Sequence, residues 1–281
     1  MEKRIVILTR DGLRHSYMRM AFGLADGIEV LRSYCETSSG DILREARQNG
    51  DPIDVKHLKR REISEHDFFA SFVNRVPDHS NPVKIEGGAI NDKECYKEIM
   101  ELSPDLLVAY GCSLIKDPLL SEYKGNFLNL HLGLSPYYRG TGTNFWPLVN
   151  REPEYVGATF MHIDEGVDTG EIIHQLRARV YPGDGPHDIG NRLISDAGRV
   201  YPELARQFDE LHHVEQLSTP DNENYYRSSD YNPEATRELY ENFEQDMIDD
   251  YVQERASRTS DVPIIKHPIV NEDELLTEPG I

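Results

Sequence analysis

The sequence contains little cysteine and no long apolar run. Cys35, Cys95 and Cys112 are the only cysteines in a chain of 281 residues. Their number and spacing fit neither a disulfide framework nor a zinc site, which favours a reducing compartment in which each thiol is a small buried hydrophobe. No stretch approaches the ~18 apolar residues of a membrane span, and the apolar run Ile5–Leu8 is too short for a signal peptide. We therefore expect a cytoplasmic protein without a membrane partner.

Lysine is also scarce, and acidic residues dominate the charge. The chain has 9 Lys and 21 Arg against 50 Asp and Glu, for a net charge of −20. Residues 1–200 carry 30 acidic and 24 basic side chains, net −6, whereas residues 201–281 carry 20 and 6, net −14. Because binding to a phosphate backbone needs clustered Lys and Arg, this acidic C-terminal part argues against a nucleic-acid partner. Both a high-salt cytoplasm and an ordinary acidic protein fit this composition.

The first part of the chain alternates between strand and helix patterns. Apolar runs predict strands at Ile5–Leu8, Ile28–Cys35, Asp105–Tyr110 and Asn126–Leu130. Helical patterns occupy the intervals, over 14–25, over 38–48, from 64 onward, and from a cap at Asn91 to Met100. Such an alternation predicts an α/β fold built from parallel strands connected by helices.

After residue 150 the pattern changes. Two strand-like runs, Tyr155–Ile163 and Glu171–Val180, flank the glycine-bounded loop 164–170. An apolar series spaced by three and four residues from Ile189 to Leu211 predicts a long helix. The two runs and the helix complete the main part of the predicted fold.

The C-terminal part predicts a second helical region. Asn232 suits an N-cap and Pro233 the first helical position, so a helix should start there and run to about Ser257. Residues 212–231 read as irregular and 259–281 as a tail. The helix has one apolar face, which would pack on the core or form a homodimer contact. That face consists of Leu239, Phe243, Met247 and Tyr251.

Two polar side chains share a face at the end of a predicted strand. Asn129 and His131 are two residues apart, and such residues point to the same side of a strand. Open parallel sheets bind ligands beyond the carboxyl ends of their strands, where an amide and an imidazole can stabilise an oxyanion. Asp168, on the loop 164–170, suits a carboxylate that orients the imidazole or moves a proton. Each residue alone is more often structural, and no metal-ligand spacing accompanies them.

Together these residues resemble those of a known family. The chain carries in order Val108-Ala109-Tyr110-Gly111, Asn129-x-His131, Leu134-Ser135-Pro136-x-x-Arg139-Gly140, Gly157-Ala158-Thr159 and Asp164-x-Gly166-x-Asp168-x-Gly170. This series resembles the folate-dependent formyltransferases, which include the glycinamide ribonucleotide, methionyl-tRNA and sugar N-formyltransferases. The resemblance covers roughly residues 80–195 well and the first 80 weakly. It departs from the family pattern at Gly133-Leu134-Ser135-Pro136 and over 141–147.

The resemblance implies a Rossmann-like, mostly parallel sheet and a reaction in which an amine takes the formyl group of 10-formyltetrahydrofolate without a metal. Asn129 and His131 would stabilise the oxyanion, and Asp168 would hold His131 and help to move the proton. The residues that it places against the folate are Gly111, Ser113, Leu114, Ile115, Asp164 and Gly166. It makes 1–211 the formyltransferase catalytic domain and 212–281 an acidic, mainly helical extension.

The acceptor depends on segments that differ among such enzymes. Loop 9–15 lacks the Gly/Ser/Asn-rich phosphate loop of the glycinamide ribonucleotide enzymes, and the acidic C-terminal part disfavours tRNA. A formyltetrahydrofolate hydrolase would need an N-terminal domain, for which we expect no room. The context around 134–147 favours a small amine, namely a nucleotide-linked amino sugar for surface-glycan synthesis. A methionyl-tRNA formyltransferase-like enzyme, a hydrolase and a non-catalytic folate or nucleotide binder remain alternatives. Arginine suits phosphate oxygens, and the candidate substrate-binding residues are Arg10, Arg14, His15, Tyr138 and Arg139.

Overall fold

The computed structural model of the chain describes residues 2–37, 50–216 and 224–276. Its strands are β1 (Lys3–Arg10), β2 (Ile28–Glu36), β3 (Pro82–Ile85), β4 (Leu106–Tyr110), β5 (Phe127–His131), β6 (Tyr138–Gly140), β7 (Gly157–His162), β8 (Ile172–Arg177) and β9 (Asn224–Tyr226). Its α-helices are α1 (Leu13–Gly23), α2 (Pro52–Arg75), α3 (Lys93–Leu102), α4 (Leu119–Glu122), α5 (Trp146–Val149), α6 (Pro186–Arg206), α7 (Pro233–Glu244), α8 (Met247–Ser260) and α9 (Glu272–Leu275).

Seven strands form the central sheet, in the order β3-β2-β1-β4-β5-β7-β8. Neighbours from β3 to β5 run parallel, and β7 and β8 are added antiparallel at the far edge. Strands β6 and β9 pair separately. The predicted α/β fold with a mostly parallel sheet is confirmed. Because the chain order reverses between β1 and β4, the carboxyl ends of these strands are the expected place for a ligand.

Strand β1 illustrates how the sheet is buried on both faces. Ile5 and Ile7 belong to the apolar cluster that includes residues of α1 and α6, whereas Val6 and Leu8 belong to the cluster that includes α3. Successive side chains of a strand point to opposite faces. A strand covered by helices on both faces therefore appears in the sequence as an uninterrupted apolar run.

Two helix starts differ from the prediction. Helix α2 begins at Pro52 rather than near residue 64, because the Asp51 side chain accepts a hydrogen bond from the Ile53 N–H at 3.0 Å and caps it. Its first half carries polar residues that face a cavity, so the apolar spacing marked only the second half. Helix α3 begins at Lys93, and Asn91 does not cap it. The predicted helix over 38–48 lies outside the described residues.

The C-terminal part differs most from the prediction. Asn232 caps α7 as expected, since its side chain accepts a hydrogen bond from the Ala235 N–H at 2.9 Å. The predicted single helix is wrong, because Asp246 adopts a left-handed φ of +56° and separates α7 from α8. Residues 212–231 are not wholly irregular, since they contain β9. The predicted tail is wrong over 261–276, where Val262 and Val270 are buried and α9 forms.

The apolar face of the C-terminal helices packs within the chain. Leu239, Met247 and Tyr251 belong to the same buried cluster as the helices that cover the sheet. This packing is the first of the two alternatives given for this face, packing on the core or a homodimer contact. The division of the chain at residue 211 stays a prediction. Within the described ranges, no helix is both long enough and apolar enough to cross a membrane.

Candidate functional site

A cavity of about 750 Å³ lies at the carboxyl ends of β1, β4 and β5. The three catalytic candidates, Asn129, His131 and Asp168, line it. So do most of the residues predicted for the folate and the acceptor, which are Arg10, Arg14, His15, Gly111, Ser113, Leu114, Ile115, Asp164 and Gly166. The fold thus brings into one cavity residues that are widely separated in sequence.

The His131 ring stands between two oxygen acceptors. Its Nδ1 is 3.2 Å from Oδ1 of Asp168, and its Nε2 is 3.2 Å from the carbonyl oxygen of Tyr138. A neutral imidazole has one N–H and donates to only one of them, whereas a ring that has taken up a proton donates to both. The half-buried side chain of Asn129 has no hydrogen-bond partner among the described residues. The arrangement therefore offers an amide to a ligand beside an imidazole suited to receiving a proton.

Local backbone geometry holds Asp168 in place. Asp168 adopts a left-handed φ of +55°, and its Oδ2 accepts a hydrogen bond from the Gly140 N–H at 3.3 Å. Two residues later, a Cβ on Gly170 would collide with the backbone carbonyl of His162. Only glycine lets the loop return this close to the end of β7, and this return aims the carboxylate at His131.

Asp164 organises the same loop from its first turn. Its Oδ1 accepts hydrogen bonds from the Gly166 N–H at 3.0 Å and the Thr169 hydroxyl at 2.7 Å. Both partners lie within the loop, so this carboxylate shapes the segment that carries Asp168. Direct contact of Asp164 and Gly166 with folate stays a prediction.

Two residues that the sequence analysis did not assign to the site hold the predicted folate segment. Glu36 is buried at the end of β2 and accepts a hydrogen bond from the Ser113 N–H at 2.7 Å. Asn91 donates to the carbonyl of Leu114 at 3.0 Å and accepts from the Lys116 N–H at 2.8 Å. The sequence offered one signal for Glu36, a carboxylate at the end of a strand that is predicted to be buried. Burying an unpaired charge costs free energy, so such a residue is expected to have a partner.

Arginines line the side of the cavity formed by α1 and α2. Arg10, Arg14 and Arg61 reach it, and Glu65 is their acidic neighbour there. Nε of Arg61 donates to Oε1 of Glu65 at 2.9 Å, and a guanidinium nitrogen of Arg14 lies 3.7 Å from the same oxygen. Arg10 forms no ion pair with any described residue. The guanidinium groups of Arg14 and Arg61 therefore share one carboxylate, in a chain whose net charge is −20.

Three histidines join these arginines. The rings of His57 and His187 are 4.5 Å apart, and His15 packs so closely on Gly111 that a Cβ there would lie 2.7 Å from its Nε2. Burial, with a further contribution from Arg61, lowers the pKa of His15, of His57 to about 3 and of His187 to about 4. The buried Nδ1 of His15 and Nε2 of His187 have no hydrogen-bond partner in the described part of the chain. The basic cluster is defined here as Arg10, Arg14, His15, His57, Arg61 and His187.

The neutral histidines should make stability depend on pH. The pKa values of His57 and His187 lie below 6.5, so the unfolded chain binds more protons once the pH falls below that value. We expect the free energy of unfolding to drop between pH 6.5 and 4, by up to ~1.4 kcal/mol per pH unit for each histidine. Urea unfolding at pH 7, 6 and 5 measures this. His57→Gln should reduce the slope and His66→Gln, exposed on the same helix, should not; equal slopes in His57→Gln and wild type would contradict the expectation.

Two predicted substrate-binding residues have a different place. Within the described part of the chain, Tyr138 and Arg139 do not line the cavity. The Tyr138 ring is fully buried and its hydroxyl donates to Glu152, so only its carbonyl reaches His131. Tyr138 therefore belongs to the packing beneath the site.

The cavity-lining Cys112 is no nucleophile at neutral pH, because burial raises the pKa of its thiol to about 12.

No three His, Cys, Asp or Glu side chains in the described ranges are arranged to hold a metal ion. The groups that the cavity does present are an amide, a histidine paired with a carboxylate, and the basic cluster. These groups can stabilise an oxyanion, move a proton and bind an anion.

Known proteins match the chain in sequence. The family model for formyl transferase matches residues 25–205. A methionyl-tRNA formyltransferase from Desulforamulus reducens is 34% identical over 128 residues, which are 45% of this chain and 40% of that protein. A phosphoribosylglycinamide formyltransferase from Escherichia coli is 25% identical over 183 residues, which are 64% of this chain and 80% of that protein.

Solved structures match the chain in fold. Glycinamide ribonucleotide transformylase 1 from Symbiobacterium toebii has a TM-score of 0.53 and 19% identity, covering 76% of this chain and 95% of that one. A 4-N formyltransferase from Francisella tularensis has a TM-score of 0.52 and 18% identity, covering 82% and 78%. The match to the Desulforamulus protein spans only 40% of its length, so activity does not transfer with it. The family model nevertheless matches well over half of the chain, which therefore belongs to the formyl transferase family, as its motifs predicted.

Proposed function

We propose that this protein transfers a formyl group from 10-formyltetrahydrofolate to a primary amine of a small acceptor. One observation carries the proposal: the His131–Asp168 pair stands beside the unpaired amide of Asn129 in a cavity large enough for a ligand. Family membership supports the same reaction. Both substrates would meet beyond the carboxyl ends of β4 and β5.

Asn129, His131 and Asp168 have different roles in the proposed reaction. Asn129 donates to the formyl oxygen, which becomes negative as the amine nitrogen attacks the formyl carbon, and His131 stabilises the same charge from beside it. The attacking nitrogen becomes positive and loses a proton, which Asp168 and His131 receive and pass on. The tetrahedral intermediate then collapses, the bond from carbon to the folate nitrogen breaks, and that nitrogen takes a proton. The net reaction exchanges a formyl group on folate for a hydrogen of the amine.

The folate side of the cavity has an apolar surface. Leu114 and Val167 expose 60% and 44% of their area on loops that line it, so they offer contact to a flat ring. Backbone groups of the segment held by Glu36 and Asn91 lie beside them. The fixed position of that segment supports its proposed role in binding the donor.

The acceptor that we favour is an amino sugar attached to a nucleotide. The basic cluster supports it, since arginine forks bind phosphate oxygens, Arg14 and Arg61 share a single carboxylate, and Arg10 lines the same cavity without an ion pair to any described residue. The same cluster also suits a smaller phosphate-bearing amine, such as the ribonucleotide that the name of the Escherichia coli relative indicates. The net charge of −14 over residues 201–281 favours either of these small acceptors over tRNA, because an acidic surface repels a phosphate backbone.

Release of tetrahydrofolate from purified protein and 10-formyltetrahydrofolate tests the proposal. Parallel reactions at low and molar salt contain water only, nucleotide-linked amino sugars, glycinamide ribonucleotide or initiator tRNA. We expect release only with the amino sugars, one of which gains the mass of a formyl group. Release in water alone would replace the proposal with a hydrolase. Absence of release in every reaction would leave a binding protein, which a folate titration then measures.

Arg61 provides a test of the acceptor. Arg61→Gln removes one charge from the basic cluster, and losing a charge-assisted hydrogen bond costs ~1.5–3 kcal/mol. We expect the KM for a phosphate-bearing acceptor to rise about 10- to 100-fold while the Kd for folate stays the same. Arg60→Gln is the matched control, because Arg60 is exposed and lies over the Tyr240 ring instead. An unchanged KM in Arg61→Gln would remove the cluster from acceptor binding.

A further inference from the structure

We propose that residues 212–216 and strand β9, which follow the matched region 25–205, form a clamp that positions Asp168, with Gln216 as its main positioning residue. The proposal rests on the proposed role of Asp168 in formyl transfer. The clamp is defined by its described parts, residues 212–216 and strand β9.

Gln216 holds the backbone at Asp168 and immediately after it. Its Nε2 donates to the carbonyl of Asp168 at 2.9 Å and to the carbonyl of Gly170 at 2.8 Å. Asp168 is a non-glycine residue in the left-handed region, a conformation that costs on the order of 1 kcal/mol or more unless its surroundings impose it. The two hydrogen bonds from one amide supply such a restraint, because they fix the peptide unit that follows Asp168 and the one that follows Gly170.

The clamp is itself anchored to the edge of the central sheet. Val214, two residues before Gln216, exchanges two hydrogen bonds of 2.8 Å each with Ile172, the first residue of β8. The side chain of Gln216 is half-buried. Because the chain is fixed to β8 only two residues before Gln216, the position of its side-chain amide is restrained, and the restraint passes from the sheet to the loop 164–170.

Strand β9 restrains the carboxylate from its other side. It pairs with β6, and the Thr141 N–H donates to the carbonyl of Tyr226 at 2.8 Å. The Tyr226 ring stacks on Trp146 at 4.2 Å with an angle of 6° between the planes. Gly140, at the end of β6, donates its N–H to Oδ2 of Asp168. The pairing thus holds the donor that orients one carboxylate oxygen and leaves Oδ1 facing His131.

The two restraints act on different atoms of one residue. Gln216 fixes the backbone of Asp168, and β9 fixes the donor to its Oδ2 through Gly140. The hydrogen bond between Nδ1 of His131 and Oδ1 of Asp168, 3.2 Å long, weakens when either group shifts slightly. The clamp therefore sets how well the pair is aligned and contacts no substrate itself.

Gln216→Ala tests the clamp by kinetics and by NMR. We expect kcat to fall about 10- to 100-fold, because misplacing a reacting group by about 1 Å can cost that much, while KM for both substrates stays within about twofold. The ring ¹⁵N shifts of His131, assigned by their loss in His131→Gln, should move. Gln216→Glu keeps the size of the side chain but removes the N–H donor, so its kcat should fall as far as that of Gln216→Ala. Gln253→Ala, an exposed glutamine on α8, is the matched control and should change none of these quantities.

The outcomes separate this proposal from the proposed function. Unchanged kcat and unchanged His131 shifts in folded Gln216→Ala would overturn the clamp. A loss of activity that follows only the folded fraction, with wild-type kcat per folded molecule, would also overturn it. If the wild-type protein transfers no formyl group, the proposed function fails. The His131 shifts then still decide the clamp, which is supported if Gln216→Ala moves them and overturned if it does not.

Discussion

Replacing Asp168 with asparagine should lower the rate of formyl transfer about 10³- to 10⁴-fold and leave folate binding almost unchanged. The carboxylate is 3.2 Å from Nδ1 of His131, and among the described residues it is the only charged partner of that ring. The same change in other histidine–carboxylate pairs lowers kcat ~10⁴-fold, because the asparagine amide favours the wrong tautomer of the histidine ring. Single-turnover transfer measures the rate, and a titration with tetrahydrofolate measures binding.

Glu165→Gln is the matched control for Asp168→Asn. Glu165 lies on the same loop, is exposed and carries the same charge, so its loss should change the rate less than about twofold. A rate within tenfold of wild type in Asp168→Asn would remove this carboxylate from proton transfer. The oxyanion role of Asn129 and His131 would then have to account for catalysis.

Adding a methyl group at Gly133 should reduce kcat about 100-fold in a protein that still folds. A Cβ at this position would collide with Nε2 of His131 and lie 2.8 Å from Cβ of Thr143. Thr143 has little room to retreat, because it is buried and its hydroxyl donates to the carbonyl of Leu132. The imidazole must then leave the Tyr138 carbonyl, and a shift of about 1 Å in a catalytic group can cost 10²-fold.

Steady-state kinetics and thermal unfolding of Gly133→Ala measure this effect. The control is Gly125→Ala in the turn before β5, outside the cavity lining, where a Cβ would meet nothing within 4 Å. Its φ of +84° disfavours alanine, so this variant should lose ~1 kcal/mol of stability and still keep kcat within about threefold. If Gly133→Ala retains wild-type kcat, the imidazole does not act from the position described here.

Local patterns were sufficient for six of the seven strands of the main sheet and for the candidates Asn129 and His131, but not for the edge strand β3. An apolar run such as Ile5–Leu8 is read correctly because both faces of its strand are buried. Asn129 and His131 share a face because side chains alternate along any strand. Asp168 was found by resemblance of its loop, and the structure places it beside His131. Their roles in catalysis stay a proposal.

The sequence by itself therefore determined the α/β class and six of the seven strands of the main sheet, because these depend on neighbours in the chain, whereas the short edge strand β3 was not predicted. The roles of Asn129, His131 and Asp168 stay a prediction. Only the tertiary structure decided the break at Asp246, the packing of 261–276, the basic cluster and the contact of Gln216 with Asp168. These features join residues far apart in sequence. Hydrophobic periodicity indicates which side of a helix or strand is buried, but it does not specify which distant side chain meets it there.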